Sequence, residues 1–161
     1  MTGIDETMDC PEPGCDGHMV LRYSKKYNGP FYGCSNFPEC RATHGAHADG
    51  RPLGKPADKF TKQCRIQAHE AFDKLWMEAP KFYDLPSLKV QNKKARRMYK
   101  RIQRIARGRA YKWLEIQLGL EDGECHIGMF DADTCARVIK ICEGITPPTI
   151  RQWAKETGHG R

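Results

Sequence analysis

Apolar side chains follow one spacing before about residue 58 and a different one after it. In the first stretch His18-Met-Val-Leu-Arg-Tyr alternates as a strand does, and Asn28-Gly29-Pro30 supplies a turn signal. Residues 9–45 are otherwise rich in Gly, Pro, Tyr and Cys, so they read as short strands and tight knuckles. Residues 45–58 hold three glycines and two prolines, which stop any regular element. They form a linker or an ordered surface loop.

From Lys59 the period becomes helical. Ala68, Phe72, Leu75 and Trp76 fall at i, i+4, i+7 and i+8, which predicts a helix over about 59–78 that stops before Pro80. A second helix is expected over about 92–107, with Asn92 as its N-cap. At about 100° per residue, Ala95, Met98, Tyr99, Ile102, Ile105 and Ala106 share a face expected to pack. Lys93, Arg96, Arg97, Lys100, Arg101, Arg104 and Arg107 share the opposite one. Arg109 would fall on the apolar side, so a bend or break is expected at Gly108, with a further helix over 109–118 buried through Trp113 and Leu114. Asp131 is expected to cap a helix carrying Cys135, Val138, Ile139 and Cys142 and ended by Gly144. Thr146-Pro-Pro opens a last helix containing Trp153.

The net charge of +7 becomes informative once it is divided along the chain. Residues 88–118 alone carry eleven Lys or Arg against the single acid Glu115, while the remaining segments are close to neutral or slightly acidic. A localised cationic stripe points to a polyanionic partner more strongly than a high isoelectric point would. The mean hydropathy is −0.71, and no apolar run approaches the roughly 20 residues needed to span a bilayer. Met1-Thr-Gly-Ile-Asp-Glu lacks the basic and apolar regions of a signal peptide. The expectation is a soluble cytoplasmic protein whose eight cysteines are thiols or metal ligands.

Four of those cysteines have metal-ligand spacing. Cys10, Cys15, Cys34 and Cys40 form a Cys-x4-Cys-x18-Cys-x5-Cys pattern, in which two short loops joined by a longer excursion deliver two thiolates from each side. Prolines 11, 13 and 38 and glycines 14, 17 and 33 shape the knuckles, where backbone N–H groups can approach sulfur. So small a segment cannot build a core unaided, and metal binding would be coupled to its folding. Four thiolates leave no open position for a catalytic water, so one structural zinc ion is expected. His18, His44 and His47 are read as loop histidines rather than ligands. The fold class is therefore α+β. A small β-rich zinc ribbon occupies residues 1–45, residues 46–58 connect, and a small all-helical domain occupies residues 59–161.

Cys10-Pro-Glu-Pro-Gly-Cys-Asp-Gly-His-Met-Val-Leu-Arg followed by Phe31-Tyr-Gly-Cys-Ser-Asn-Phe-Pro-Glu-Cys resembles the C-terminal zinc fingers of bacterial type IA topoisomerases. The first loop departs from that pattern, with four residues between cysteines where those fingers usually have two. Nothing resembles the topoisomerase catalytic domains. Across most of the chain, His47-Ala-Asp-Gly-Arg-Pro-Leu-Gly, Phe72-Asp-Lys-Leu-Trp and His126-Ile-Gly-Met-Phe-Asp resemble a family of bacterial, phage and prophage zinc-finger proteins of unassigned activity. The resemblance implies a mobile-element setting.

The topoisomerase likeness implies single-stranded DNA binding by aromatic stacking beside basic side chains. The ribbon has that chemistry: Tyr23 and Tyr27 are the stacking candidates, interleaved with Arg22, Lys25, Lys26 and Arg41. Phe31 or Tyr32, together with Phe37, is expected to fill the ribbon's small core instead. Phosphates would offset the repulsion among Lys93, Arg97, Lys100, Arg104 and Arg107 on the basic helix. The alternative is a protein-binding adaptor or inhibitor, encoded by a mobile element, acting on host nucleic-acid machinery. An enzyme is disfavoured. Cys135 and Cys142 lie about 10.5 Å apart along a helix, too far to share an ion, and with Cys125 they read as core. Cys64 and His69 point to different helix faces, and no Gly-rich phosphate loop or nucleophile elbow appears.

Overall fold

The computed structural model describes residues 8–83, 85 and 93–160, which divide into two compact units between Gln63 and Cys64. The first unit is a three-stranded antiparallel sheet in the order β1-β2-β3, formed by Met19–Ser24, Gly29–Cys34 and Thr43–Gly45. Asn28 takes a positive φ of 49° at the end of the β1–β2 turn, a conformation that Asn accepts more readily than most residues. The register pairs Leu21 with Tyr32 and Arg22 with Phe31, and it pairs Tyr32 with His44 across to β3. Because directly opposed residues share a face, Met19, Leu21, Tyr32 and His44 line one side and Val20, Arg22, Phe31 and Gly33 the other.

Residues 46–58 are the ordered loop of the two alternatives. His47 N–H donates to the Arg51 carbonyl at 2.7 Å, and Ala46 bridges to Pro52. Tyr32 Oη donates to the Gly50 carbonyl at 2.6 Å, fixing the loop over the Leu21–Tyr32 face. The ribbon's buried centre consists of Cys10, Met19, Cys34 and Ala42, with Tyr32 packed at its edge. So little apolar area leaves the unit dependent on some other source of stability.

Helix α1 (Lys59–Met77) opens at the end of the first unit and continues into the second. Asp58 accepts the Thr61 N–H at 2.7 Å and so satisfies one of its free donors. Ala68, Phe72 and Leu75 are buried, and the helix gives way to a 3-10 turn, Ala79–Phe82, at Pro80. Helix α2 (Lys93–Leu118) then departs from expectation in two ways. Asn92 lies outside the described residues, but the helix runs without interruption through Gly108 for 26 residues. An exposed glycine costs a helix about 1 kcal/mol. The anchoring of Ala110, Trp113, Leu114 and Leu118 in the core outweighs that cost. The apolar face predicted for residues 95–106 is also only half covered. None of its six side chains is buried, and Met98 and Ile105 are 44% and 40% exposed. Amphipathic spacing marked the face correctly but could not show that the packing partners sit only over the C-terminal half.

The remaining helices follow their signals. Asp131 accepts the Thr134 N–H at 2.8 Å to cap α3 (Ala132–Cys142), and Gly144 (φ 71°) closes it. Thr146 and Thr149 form a reciprocal cap for α4 (Pro147–Glu156). Phe72, Trp113, Leu114, Ile127, Val138 and Ile150 share one core, into which Cys125, Cys135 and Cys142 pack as small apolar side chains. Burial pushes the Cys125 and Cys142 thiols up to about 11. Among the described residues no helix is long and apolar enough to cross a membrane.

Glu115, the one acid of the basic segment, closes the turn after α2 from a buried position. Its carboxylate accepts Lys112 Nζ at 2.9 Å and the Gly123 N–H at 2.7 Å, and Lys112 also reaches Asp122 at 2.6 Å. These donors, Lys112 first, hold the Glu115 carboxyl below its ordinary 4.5. A lowered carboxyl stabilises the fold above the ordinary value, and that contribution is lost as pH falls through the folded one. Glu115→Gln, which keeps the shape and removes the charge, should lower stability at pH 7 by roughly 1 kcal/mol, a modest figure because Lys112 is partly solvated and keeps Asp122. Urea unfolding followed by tryptophan fluorescence checks this, since Trp76, Trp113 and Trp153 all lie in this unit. The gap between variant and wild type should close as pH falls below 4.5.

Candidate metal centre

Two tight loops carry the four cysteines. The first is closed by Cys10 N–H to the Gly17 carbonyl at 2.8 Å and Cys15 N–H to Glu12 at 3.2 Å. The second runs from Cys34, the last residue of β2, and is closed by Cys40 N–H to Asn36 at 2.9 Å. Cys10 Sγ lies 3.7 Å from Cys40 Sγ and Cys15 Sγ 3.6 Å from Cys34 Sγ, and all four sulfurs lie within 4.8 Å of one another. A zinc–thiolate bond of about 2.3 Å gives a tetrahedron with edges of about 3.8 Å. A disulfide would need about 2.05 Å. The four sulfurs fit one structural zinc ion, and the set is full.

The electrostatics demand a cation. Burial pushes the Cys10 thiol up to about 12, whereas the backbone N–H of Gly17 draws Cys15 down. Four sulfurs this close cannot all ionise against one another, and a divalent ion removes the conflict. Weak donors already point at the sulfurs: Asn36 N–H lies 3.4 Å from Cys34 Sγ, and Asn36 Nδ2 lies 3.8 Å from Cys15 Sγ and 2.8 Å from Asp16 Oδ1. Gly17 is needed for space. A Cβ there would stand 2.7 Å from Cys34 Sγ and 3.0 Å from Ser35 Oγ. His18 and His47 are exposed and His44 is half-buried on β3; the cluster is made of cysteines alone.

The aromatic and basic candidates of the ribbon lie around this scaffold. Tyr23 and Tyr27 are 61% and 78% exposed, and Tyr23 Oη donates to Asn28 Oδ1 at 2.5 Å. Lys25, Lys26 and Arg41 are exposed, and Lys26 Nζ sits 5.1 Å from the Tyr27 ring centroid. Phe37 corrects the expectation of a core ring, being 59% exposed. The Cys34–Cys40 loop turns both sulfurs inward, and Phe37 between them is left outside, with the Arg22 guanidinium 5.9 Å from its ring. Arg22 lies against Gly33, where an added Cβ would stand 3.2 Å from Arg22 Nε and 3.5 Å from the Phe31 ring. Phe31, Arg22 and Phe37 thus share the face away from Gly50. Strand parity joins Arg22 to Phe31, but the place of Phe37 depends on the path of the cysteine loop.

On α2, Lys93, Arg97, Lys100, Arg101 and Arg104 are all exposed, and none forms an ion pair with a carboxylate among the described residues. Arg107 differs. Its guanidinium lies 5.6 Å from the Trp76 ring and 4.8 Å from that of Tyr111, held against the helical core by cation–π contacts.

A family described as a zinc-finger-containing domain matches residues 9–84 and 84–145. No curated protein and no solved structure matches the chain.

Elemental analysis of the purified chain should return one zinc per molecule. Gly17→Ala should weaken retention by roughly 10–100-fold, the usual cost of disturbing the groups that position metal ligands. Competition with a chromogenic chelator measures the loss. Retention equal to wild type would show that the Gly17 cradle does not constrain Cys34.

Proposed function

The chain belongs to the zinc-finger-containing domain family, and from that premise we propose that it is a non-enzymatic zinc-ribbon protein that binds nucleic acid, with single-stranded DNA favoured. The observation that carries the reading is the row of five exposed α2 cations without a carboxylate partner among the described residues. Lys93–Arg97, Arg97–Arg101 and Lys100–Arg104 are like-charge i,i+4 neighbours, each costing an isolated helix about 0.2–0.5 kcal/mol. A phosphate backbone reverses that cost and gains further from the counterions it releases.

The ribbon supports a preference for unpaired bases. Tyr23, Tyr27 and Phe37 are exposed rings beside Arg22 and Lys26, and stacking on such a ring is worth about 1–3 kcal/mol per base without regard to sequence. Duplex bases are already stacked on one another and cannot use these rings. The likeness of the cysteine loops to topoisomerase fingers agrees with this role. In it the zinc is a scaffold that holds the aromatic loops.

Fluorescence anisotropy against labelled DNA and RNA across a salt series tests the proposal. Lys100→Ala and Arg104→Ala should each reduce the magnitude of the log K against log salt slope by about 0.7 for single strands and about 0.9 for duplex. Lys100→Glu with Arg104→Glu should abolish binding while leaving stability within about 0.5 kcal/mol per site, since both side chains are exposed. Absence of salt-dependent affinity in the wild type near physiological ionic strength would overturn the reading. An acidic protein surface would then be the partner for the α2 face.

A further inference from the structure

Within the helical unit, the 3-10 turn after α1, the middle of α2 and the start of α4 enclose a cavity of about 290 Å³. Its apolar floor includes Leu75 and Ile150, and its wall includes the rings of Phe82 and Tyr83. Arg109, Arg151 and Lys155 also line it, and among the described residues no carboxylate does. The Arg151 guanidinium lies 4.6 Å from the Tyr83 ring centroid, so a cation is already set flat against one aromatic wall. Arg109 donates from Nη2 to the Gly160 carbonyl, but its Nε, wholly buried, has no hydrogen-bond partner among the described residues. With Nε shut off from solvent, what Arg109 offers the cavity is its charge.

From this cavity we propose a second ligand site, which takes a nucleoside monophosphate group: a planar base against the aromatic and apolar wall, with the phosphate held by Arg109, Arg151 and Lys155. Size and charge select the ligand. The volume is at the lower end of the roughly 300–1,000 Å³ of small-molecule pockets, enough for one ring system and too little for a packed peptide segment. Three cations, with no acid among the described lining residues, exceed what a single-charge phosphodiester requires, and they match a terminal phosphate, which carries about −1.5 to −2 at pH 7. Arginine suits this task because its planar fork pairs with phosphate oxygens and stacks on rings. The site goes beyond the α2 reading and does not depend on it. Its cations lie outside the Lys93–Arg104 row, and its ligand is either a free nucleotide or the phosphorylated end of a strand.

Calorimetric titration of the zinc-loaded full chain with the four ribonucleoside 5′-monophosphates, with a nucleoside and with inorganic phosphate tests the site. At least one monophosphate should bind, and more tightly than either of its parts. Arg151→Ala with Lys155→Ala, both at exposed positions, should weaken it by about tenfold or more while the thermal transition is retained. Arg151→Gln with Lys155→Gln repeats the test with less loss of side-chain packing. Affinity should fall as pH drops below about 6, where the phosphate takes up its second proton. Lys100→Glu with Arg104→Glu should leave nucleotide affinity unchanged, which separates this site from the α2 face. A short oligonucleotide with a 5′-phosphate that outcompetes its 5′-hydroxyl form would assign the source to strand ends; no competition by either would assign it to free nucleotides, and equal competition by both would overturn the selection of a terminal phosphate. The proposal is overturned if no monophosphate binds at millimolar concentration, if the Arg151–Lys155 variants bind as wild type does, or if the α2 variant abolishes nucleotide binding.

Discussion

The ribbon from residue 8 to residue 58 depends on keeping four thiolates together. Brought within 4.8 Å, the sulfurs repel one another when ionised, and burial pushes the Cys10 thiol up to about 12. A single divalent ion converts that repulsion into the main cohesive interaction of the ribbon, because the apolar centre of Cys10, Met19, Cys34 and Ala42 is too small to hold three short strands. Other features of the unit follow from this constraint. Gly17 has no side chain because Cys34 Sγ takes the space, Asn36 stays beside two sulfurs as a donor, and the chain between Cys34 and Cys40 turns its sulfurs in and Phe37 out. The exposed aromatic on the ribbon is thus a consequence of metal geometry.

The helical unit is held in the ordinary way, by a shared apolar core around Phe72, Trp113 and Leu114, and its eccentric feature is electrostatic. Helix α2 is about 39 Å long. Burial is confined to its C-terminal part, from Ala110 onward, while the exposed cations from Lys93 to Arg104 occupy the part before it. One element therefore divides its work: the anchored half, with Glu115 and Lys112 closing the following turn, fixes the direction along which the cationic half presents its charges.

The ligand set, the strand-then-helix order, the cap at Asp131 and the helix start at Thr146-Pro-Pro were legible because each rests on local chemistry: cysteine spacing, a change of period, a carboxylate ahead of free N–H groups, proline in a first helical turn. Four features were not legible. Gly108 looked like a break because a continuous helix puts Arg109 on the apolar side, but Arg109 is accommodated there by donating to the Gly160 carbonyl, and the helix is held by side chains two to ten residues beyond Gly108. The face from Ala95 to Ala106 looked packed because periodicity reports which residues could share a face and is silent on whether anything covers it. Phe37 looked like core because aromatic rings usually are, and only the inward turn of the flanking sulfurs excludes it. The cations of the cavity gave no signal, since Arg109 stands on α2 and Arg151 and Lys155 on α4, more than forty residues away.

The two kinds of cationic surface in the helical unit ask for different anions. On α2, Lys100 and Arg104 stand one turn apart on an exposed ridge, in high dielectric. Such charges attract a line of phosphates and distinguish little among sequences. At the cavity, Arg151 lies on Tyr83, and the Arg109 side chain is fixed by the Gly160 carbonyl with one buried donor still open. Restricted side chains around apolar surface lose less entropy on binding and can discriminate shape, which an exposed ridge cannot. On the two proposals, the ridge therefore suits a long polyanion and the cavity a single small anion, since among the described residues no carboxylate pairs with the ridge cations or lines the cavity.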